Sequence, residues 1–586
     1  MKKNNLKWNL DDVCKHDKFE ELMNEVEKDS RKMEGWWKKL SPTMTEKVFK
    51  EFIEFDQELD DKFSRLGYLP ELMESTNNKD AKARLWKAKV NDLALAHNLR
   101  TRKIGHWLKG LNIEGKEKLD DENATRLFKA VLDMEYALNY SRLEAKHTLS
   151  EKEEEIIDNK DVTGGQVISD LRGLIEADFE YKMGKKIVKT QGELLKFVHS
   201  NKAKERKEAY EALLLKHKDN ADKLFVIYQA VVKDWAFETK KRGYKSAIAR
   251  RNFGNQVLDK AVETLLRVCS EEKKVFYKFF DYKAKQLGSK KLSRMDLYAP
   301  ISPKVSKAIK FEEAKKLVLD SFYEFSQKFG DAGKQILDEQ HVDVMPDKDK
   351  RNGAFCATVG PKITPYVLLN FVGTSRDVST LAHELGHGIH SLYANKHYPV
   401  TQQAQLPLAE TASTLGEMIL FEKMLSQEKD KKIRNQMLVE KIGDTYATVL
   451  RQNYFVKFEI EAHNKLAIGA TAEEINKIYQ ENLKEQFGNS MVIPEIFKYE
   501  WLYVSHFFET PFYCYAYNFG ELLSLSLYAR YKKEGNSFVP KIEKILEAGG
   551  SEEPAKILKE VGVDIEDENF WRESFGVVKG WVDMLL

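Results

Sequence analysis

Four cysteines in 586 residues, Cys14, Cys269, Cys356 and Cys514, stand far apart and form no CxxC pair. That spacing argues against a disulfide framework and against a thiolate metal site. No run of 18 apolar residues occurs, so no segment reads as a membrane-spanning helix. The opening residues, MKKNNLKWNLDD, are basic but lack an apolar stretch, and no secretory signal is expected there. An excess of charge of one sign is also missing. Lys and Arg (95) nearly cancel Asp and Glu (93), leaving +2, which gives no global attraction to nucleic acid or to an anionic membrane. These absences lead to the expectation of a cytoplasmic protein with neither nucleic acid nor membrane as partner.

Proline is scarce too, 13 in all, and long stretches rich in Lys, Glu, Leu and Ala fill the gaps between prolines. Together they predict a mainly α fold. Residues 81–100, 125–160 and 204–235 place apolar side chains at helical spacing between charges. The 42% hydrophobic content suffices for a large interior, and the 32% charged content suits solvated helix faces. One region departs from this pattern. Residues 353–372, GAFCATVGPKITPYVLLNFV, are rich in β-branched and aromatic residues and punctuated by Gly and Pro, so they predict a small sheet or hairpin. Domain boundaries are weakly marked. The expected division is an N-terminal helical lobe, 1–190, followed by a catalytic region, 191–586.

The segment directly after that sheet reads TSRDVSTLAHELGHGIHSLY, residues 374–393. Thr374 or Ser375 suits an N-cap, with Asp377 in the first turn. Leu381, Leu385 and Ile389 supply a core-facing stripe. His383 and His387, four residues apart, then share one helix face, about 6 Å apart along the axis. Two imidazoles so placed can converge on one Zn²⁺. Glu384 stands beside them, in reach of a metal-bound water without ligating the metal.

Catalytic zinc usually takes three protein ligands and keeps one open position. The metzincin pattern would need a glycine at 390 and a histidine at 393, where this chain has His390 and Tyr393. The gluzincin pattern instead takes a glutamate from a following helix. LPLAETASTLGEMIL, residues 406–420, offers one: Pro407 suits a first turn and Glu410 follows one turn in. Glu410 lies among apolar residues, where an unpaired carboxylate is costly to bury and a metal partner removes that cost. Glu417, two turns further on, is expected behind the ligands, accepting the remaining N–H of a ligand histidine. His390, seven residues from His383, is expected in the same outer position or in packing.

RDVSTLAHELGHGIH followed by LAETASTLGE resembles the thimet oligopeptidase and oligoendopeptidase F family of zinc metallopeptidases. GAFCATVG with PYVLLNF, and WNLDDV near the start, resemble the oligoendopeptidase F branch in particular. The resemblance implies a gluzincin-type zincin: a mainly helical clamshell with a deep substrate channel and a small β-sheet beside the active-site helix. It also implies one Zn²⁺ per chain and cleavage of short, unstructured oligopeptides.

Peptide hydrolysis needs donors for the developing oxyanion besides the metal, and WLYVSHFFETPFYCYAYNFG, residues 501–520, is the expected source. With Thr510 as cap and Pro511 at the first helical position, Tyr513 and Tyr517 fall at i, i+4 on one face. Gly520 continues that stripe and leaves room for a substrate backbone, whereas Tyr515 points away. His506 precedes the helix and can donate to the oxyanion or the substrate. An aromatic core helix is the alternative reading of the same residues. Near the zinc motif, Gly353 and Ala354 permit close approach of an extended peptide along a strand edge at 353–359. The expected activity is that of a zinc-dependent oligoendopeptidase. An exopeptidase of the dipeptidyl carboxypeptidase type is the alternative, with a non-catalytic peptide-binding protein behind it. The last would be expected to lack Glu384 or a metal ligand, and neither is missing.

Overall fold

The computed structural model describes residues 6–301 and 308–586. The chain is mainly helical, with short strands in small sheets. It divides into two compact units, each assembled from three segments. The first comprises 1–146, 306–424 and 530–563, and the second 147–305, 425–529 and 564–586. Residue 190, the division expected from the sequence, lies inside the second unit. No described helix is long and apolar enough to cross a membrane.

In the first unit, helices Phe19–Lys39, Glu46–Thr76 and Ala81–Leu108 pack on one another around a core that includes Phe19, Phe49, Leu66 and Trp107, all buried. The 353–372 region forms the expected hairpin: Phe355–Ala357 pairs antiparallel with Tyr366–Leu368, with Cys356 opposite Val367. Val342–Asp343 joins Tyr366–Leu368 in parallel on the other side, which leaves Phe355–Ala357 at the sheet edge. The WNLDDV segment lies against this sheet. Trp8 meets Tyr366 edge-on at 5.9 Å, and the Tyr366 hydroxyl donates to the Asn9 carbonyl at 2.9 Å.

The second unit contains helices Ala203–Asp219, Ala221–Lys241, Gln452–Leu466 and Ala472–Phe487. Its interior holds a fully buried ion pair, Arg294 with Glu500 at 2.5 Å. Tyr210 accepts from Arg294, and Tyr479 donates to Glu500, so each charge has a polar partner besides the other.

Two local readings of the sequence differ from the fold. The Tyr513 region is not helical: residues 511–514 form a turn, and the helix begins at Tyr515 and runs to Glu534. Thr510–Pro511 has the composition of a helix start, but Phe512 takes φ +60°, a left-handed conformation that no helix can incorporate. Glu410 likewise does not sit inside one helix. It occupies the C-cap of the short helix Leu406–Ala409, immediately before helix Thr411–Gln427.

Candidate active site

In the first unit, helix Ser375–Tyr393 starts from a capping box. The Thr374 hydroxyl accepts from the Asp377 amide at 3.2 Å, and the Asp377 carboxylate accepts from Thr374 N–H at 2.8 Å. Leu381, Leu385 and Ile389 are buried with no exposure, which locks the helix rotation and turns the His383–His387 face away from the core.

The two histidines and Glu410 converge. His383 Nε2 and His387 Nε2 are 3.2 Å apart, and Glu410 Oε2 lies 3.5 Å from the first and 3.4 Å from the second. Ligands at about 2.05 Å around a tetrahedral ion stand about 3.3 Å from one another. The three atoms therefore already have the spacing of three corners of a zinc shell. Among the described residues they form one of two groups able to hold a metal. The other, Asp161, Asp234 and Glu238 in the second unit, is already matched by cations: Lys160 pairs with Asp234, and Arg242 and Arg250 each reach Glu238 at 3.0 Å.

Glu417 Oε1 accepts a hydrogen bond from His383 Nδ1 at 2.6 Å, which leaves the Nε2 lone pair free to face the common centre. Burial pulls the His383 pKa down, but Glu417, Glu410 and Glu384 outweigh it and push it up to about 9. These carboxylates thus favour a positive charge between the imidazoles, and a divalent cation meets that demand in place of the proton. Glu384, 7% exposed on the same helix, is pushed up to about 7 by burial, with His383 opposing and Glu410 and Glu417 reinforcing the rise. His390 is buried, and its Nε2 has no hydrogen-bond partner among the described residues. Burial drives its pKa down to about 4, so it is a neutral imidazole outside the group of three.

Residues that the motif reading passed over set this geometry. A Cβ on Gly386 would lie 2.5 Å from both the Ala412 carbonyl oxygen and the Ser413 Cα, and one on Gly416 would lie 3.1 Å from the Ala382 carbonyl oxygen. Only glycine lets the two helices touch backbone to backbone there, and this contact brings Glu410 up to the histidines. Ser413 then fixes the carboxylate, donating to Glu410 Oε2 at 2.7 Å. The signal available in the sequence was the glycine inside HELGH facing the small residues of TAST. Gly353 is exposed with φ +86°, and Ala354 is half-buried, just before the edge strand.

The second unit assembles an aromatic cluster. His506 lies on its own short helix, Ser505–Glu509. Its Nε2 meets the Tyr517 hydroxyl at 3.0 Å, and its ring stacks on Tyr513 with centroids 5.7 Å apart and planes 13° from parallel. Tyr513 and Tyr517 meet edge-on at 5.3 Å. Burial lowers the His506 pKa, with Glu509 opposing and Arg451 adding to the fall. Arg172 anchors the short helix from behind, stacked 4.2 Å over Phe508 and donating to the Ser505 carbonyl and to Glu509. Tyr515 is fully buried and its hydroxyl accepts from Asn255; Gly520 is buried within its helix.

The chain matches peptidase family M3 over residues 196–577. It is 30% identical to an oligoendopeptidase F homolog of Borreliella burgdorferi over 453 residues, 76% of either chain. It is 28% identical to oligopeptidase PepF of Bacillus subtilis over 438 residues, which span 73% of this chain and 65% of that protein. Its fold is shared with a solved chain from Chlamydophila abortus (TM-score 0.86, 21% identity, 99% and 98% of the two chains covered). It is shared as well with oligoendopeptidase-F from Enterococcus faecium (TM-score 0.70, 20% identity, 97% of each chain).

Proposed function

The chain belongs to peptidase family M3, and we propose that it is a zinc-dependent oligoendopeptidase that hydrolyses internal bonds of short, unstructured peptides in the cytoplasm. The observation that carries this reading is the near-equilateral triangle of His383 Nε2, His387 Nε2 and Glu410 Oε2, with edges of 3.2, 3.4 and 3.5 Å. A compartment that keeps thiols reduced suits the four free cysteines.

His383, His387 and Glu410 would hold the ion, with Glu417 orienting His383. Zinc in that position supplies Lewis acidity towards the scissile carbonyl and a water acidified towards neutrality. Glu384 takes the proton of the attacking water and delivers it to the leaving amine. A carboxylate can do both, accepting the proton as the water attacks and returning it as the amine leaves. His506 and Tyr517 are assigned as donors to the carbonyl oxygen as negative charge develops, with Tyr513 holding the imidazole by stacking. Gly353, Ala354 and the free edge of Phe355–Ala357 offer main-chain groups to an extended peptide, and Gly520 is kept as a further point of backbone approach.

A chelator should abolish cleavage of a ten-residue peptide, and one equivalent of Zn²⁺ per chain should restore it. Full activity in a metal-free preparation defeats the metal assignment. Mass spectrometry of the products separates the bond classes. Internal cuts support the endopeptidase reading, and stepwise release of C-terminal dipeptides replaces it with a dipeptidyl carboxypeptidase.

A further inference from the structure

Glu459 lies in helix Gln452–Leu466 of the second unit and is completely buried. Its Oε1 accepts the Phe512 amide at 2.8 Å. Its Oε2 has no hydrogen-bond partner among the described residues, and neither ring nitrogen of His463, one turn further on, has one. Burying this carboxyl carries a desolvation cost that only its hydrogen bonding can offset. The carboxyl must therefore be judged by the one bond it makes.

That bond holds an unusual backbone. Phe512 stands at φ +60°, a conformation that a bulky L side chain avoids unless its surroundings impose it. Its ring is buried against His463, with centroids 4.6 Å apart. On the preceding residue, the Pro511 carbonyl accepts from Arg251 Nε at 2.9 Å, and on the far side Asn255 donates to the Tyr515 hydroxyl at 2.7 Å. The turn is thus gripped at its carbonyl, at its amide and at the start of the next helix. Tyr513 follows Phe512 directly, so the left-handed residue sets the direction in which Tyr513 leaves the turn towards His506. Burial, offset only in part by the Phe512 N–H and Arg251, pushes the Glu459 carboxyl up to about 8. A neutral carboxyl or an amide can therefore serve as the acceptor.

We infer that Glu459 is a positioning residue for the His506–Tyr513–Tyr517 cluster, fixing Phe512 in its left-handed conformation through the bond to the Phe512 amide and so setting the geometry of the three rings. The inference rests on the reading of His506 and Tyr517 as oxyanion donors.

The test compares Glu459→Gln, Glu459→Asp and Glu459→Leu in the zinc-loaded full-length enzyme. Gln keeps an oxygen in place and should hold kcat within about threefold of the parent. Asp withdraws the acceptor by one methylene, and Leu removes it. Each should lower kcat by about 10- to 100-fold while KM shifts less than about threefold, because donors misplaced by a fraction of an ångström weaken the transition state more than the ground state. If Leu fails to fold, Asp, checked by circular dichroism and thermal unfolding, decides the matter. A folded Asp variant with parental kcat overturns the inference, as does a Gln variant that loses as much as Asp. Tyr517→Phe and His506→Ala, measured in parallel, separate the two levels. Full activity in both defeats the donor reading itself, whereas loss in both with none in Glu459→Asp defeats only the role given to Glu459.

Discussion

The two units hold their chemistry by opposite means. In the first, His383, His387, Glu410 and Glu417 sit on or beside two helices whose backbones touch at Gly386 and Gly416. Regular structure does the positioning, and side chains need only extend from it. In the second, His506, Tyr513 and Tyr517 are gathered by a short helix, a left-handed turn and the first turns of a longer helix, held from behind by Arg172, Arg251 and Glu459. There, long-range polar anchors do what helix periodicity does in the first unit. A site built on helices is held more precisely than one built on an anchored turn.

Substitutions of the residues that hold the ion in the first unit should alter metal content, and those in the second unit only turnover. The largest effect is expected at Glu384, which shares the first unit's helix but does not hold the ion. Glu384→Gln should keep one zinc per chain by elemental analysis and lose about 10³-fold or more in kcat. A loss under about tenfold would remove Glu384 from proton transfer. Glu417→Gln should weaken zinc affinity by about 10- to 100-fold in a chelator competition, whereas Tyr517→Phe in the same assay should bind zinc as the parent does. Equal zinc affinity in Glu417→Gln and parent would erase the proposed distinction. Gly386→Ala should cost about 1–3 kcal/mol of stability, since its Cβ must displace backbone, and should weaken zinc binding as well. An unchanged thermal transition would mean that the helices part without penalty.

The smallest effect sharpens the comparison within the first unit. His397 contacts Asp133 through Nδ1 and the Glu547 carbonyl through Nε2, the latter at 2.7 Å. Both partners only accept, so both contacts require the doubly protonated ring. Burial pulls the His397 pKa down, but Asp133 and the Glu547 carbonyl outweigh it and raise it above 6.5. The Asp133 carboxyl, with burial opposing, is lowered below 3.8 by His397, the Tyr398 amide and Thr401. The stability due to His397 is therefore complete below about pH 6.5 and is lost as pH rises through its raised value. That due to Asp133 is present above about pH 4 and lost as pH falls through its lowered one. His397→Gln should thus lower Tm more at pH 5.5 than at pH 8.5; an equal drop at both would discharge the imidazolium from any role.

What could be read from the sequence follows the same division. The His383–His387 pair, the cap at Thr374 and the 353–372 hairpin were legible because each depends on spacing or composition within about twenty residues. Glu410 could be found by its apolar surroundings, but not its place at a helix junction, which is set by the crossing at Gly386. The helix expected to carry Tyr513 was misread, because Thr510–Pro511 looks like a cap and nothing in a phenylalanine announces a positive φ. Glu459 and Arg251 left no trace, lying some 50 and 260 residues from the turn they hold. The division into units was hidden for a similar reason. Three of the crossings, at 146/147, 424/425 and 529/530, fall within helical segments, where linker composition has no reason to appear.

The contact at Gly386 also governs how the ion arrives. Where ligands are scattered until a metal gathers them, loading is coupled to chain ordering and chelation unfolds the domain. Here the crossing at Gly386 and Gly416 and the buried Leu381, Leu385 and Ile389 hold both helices through contacts that need no metal. A chelated sample should accordingly retain its helical circular dichroism and recover on mixing with zinc without a slow refolding phase, because the backbone has no rearrangement left to make.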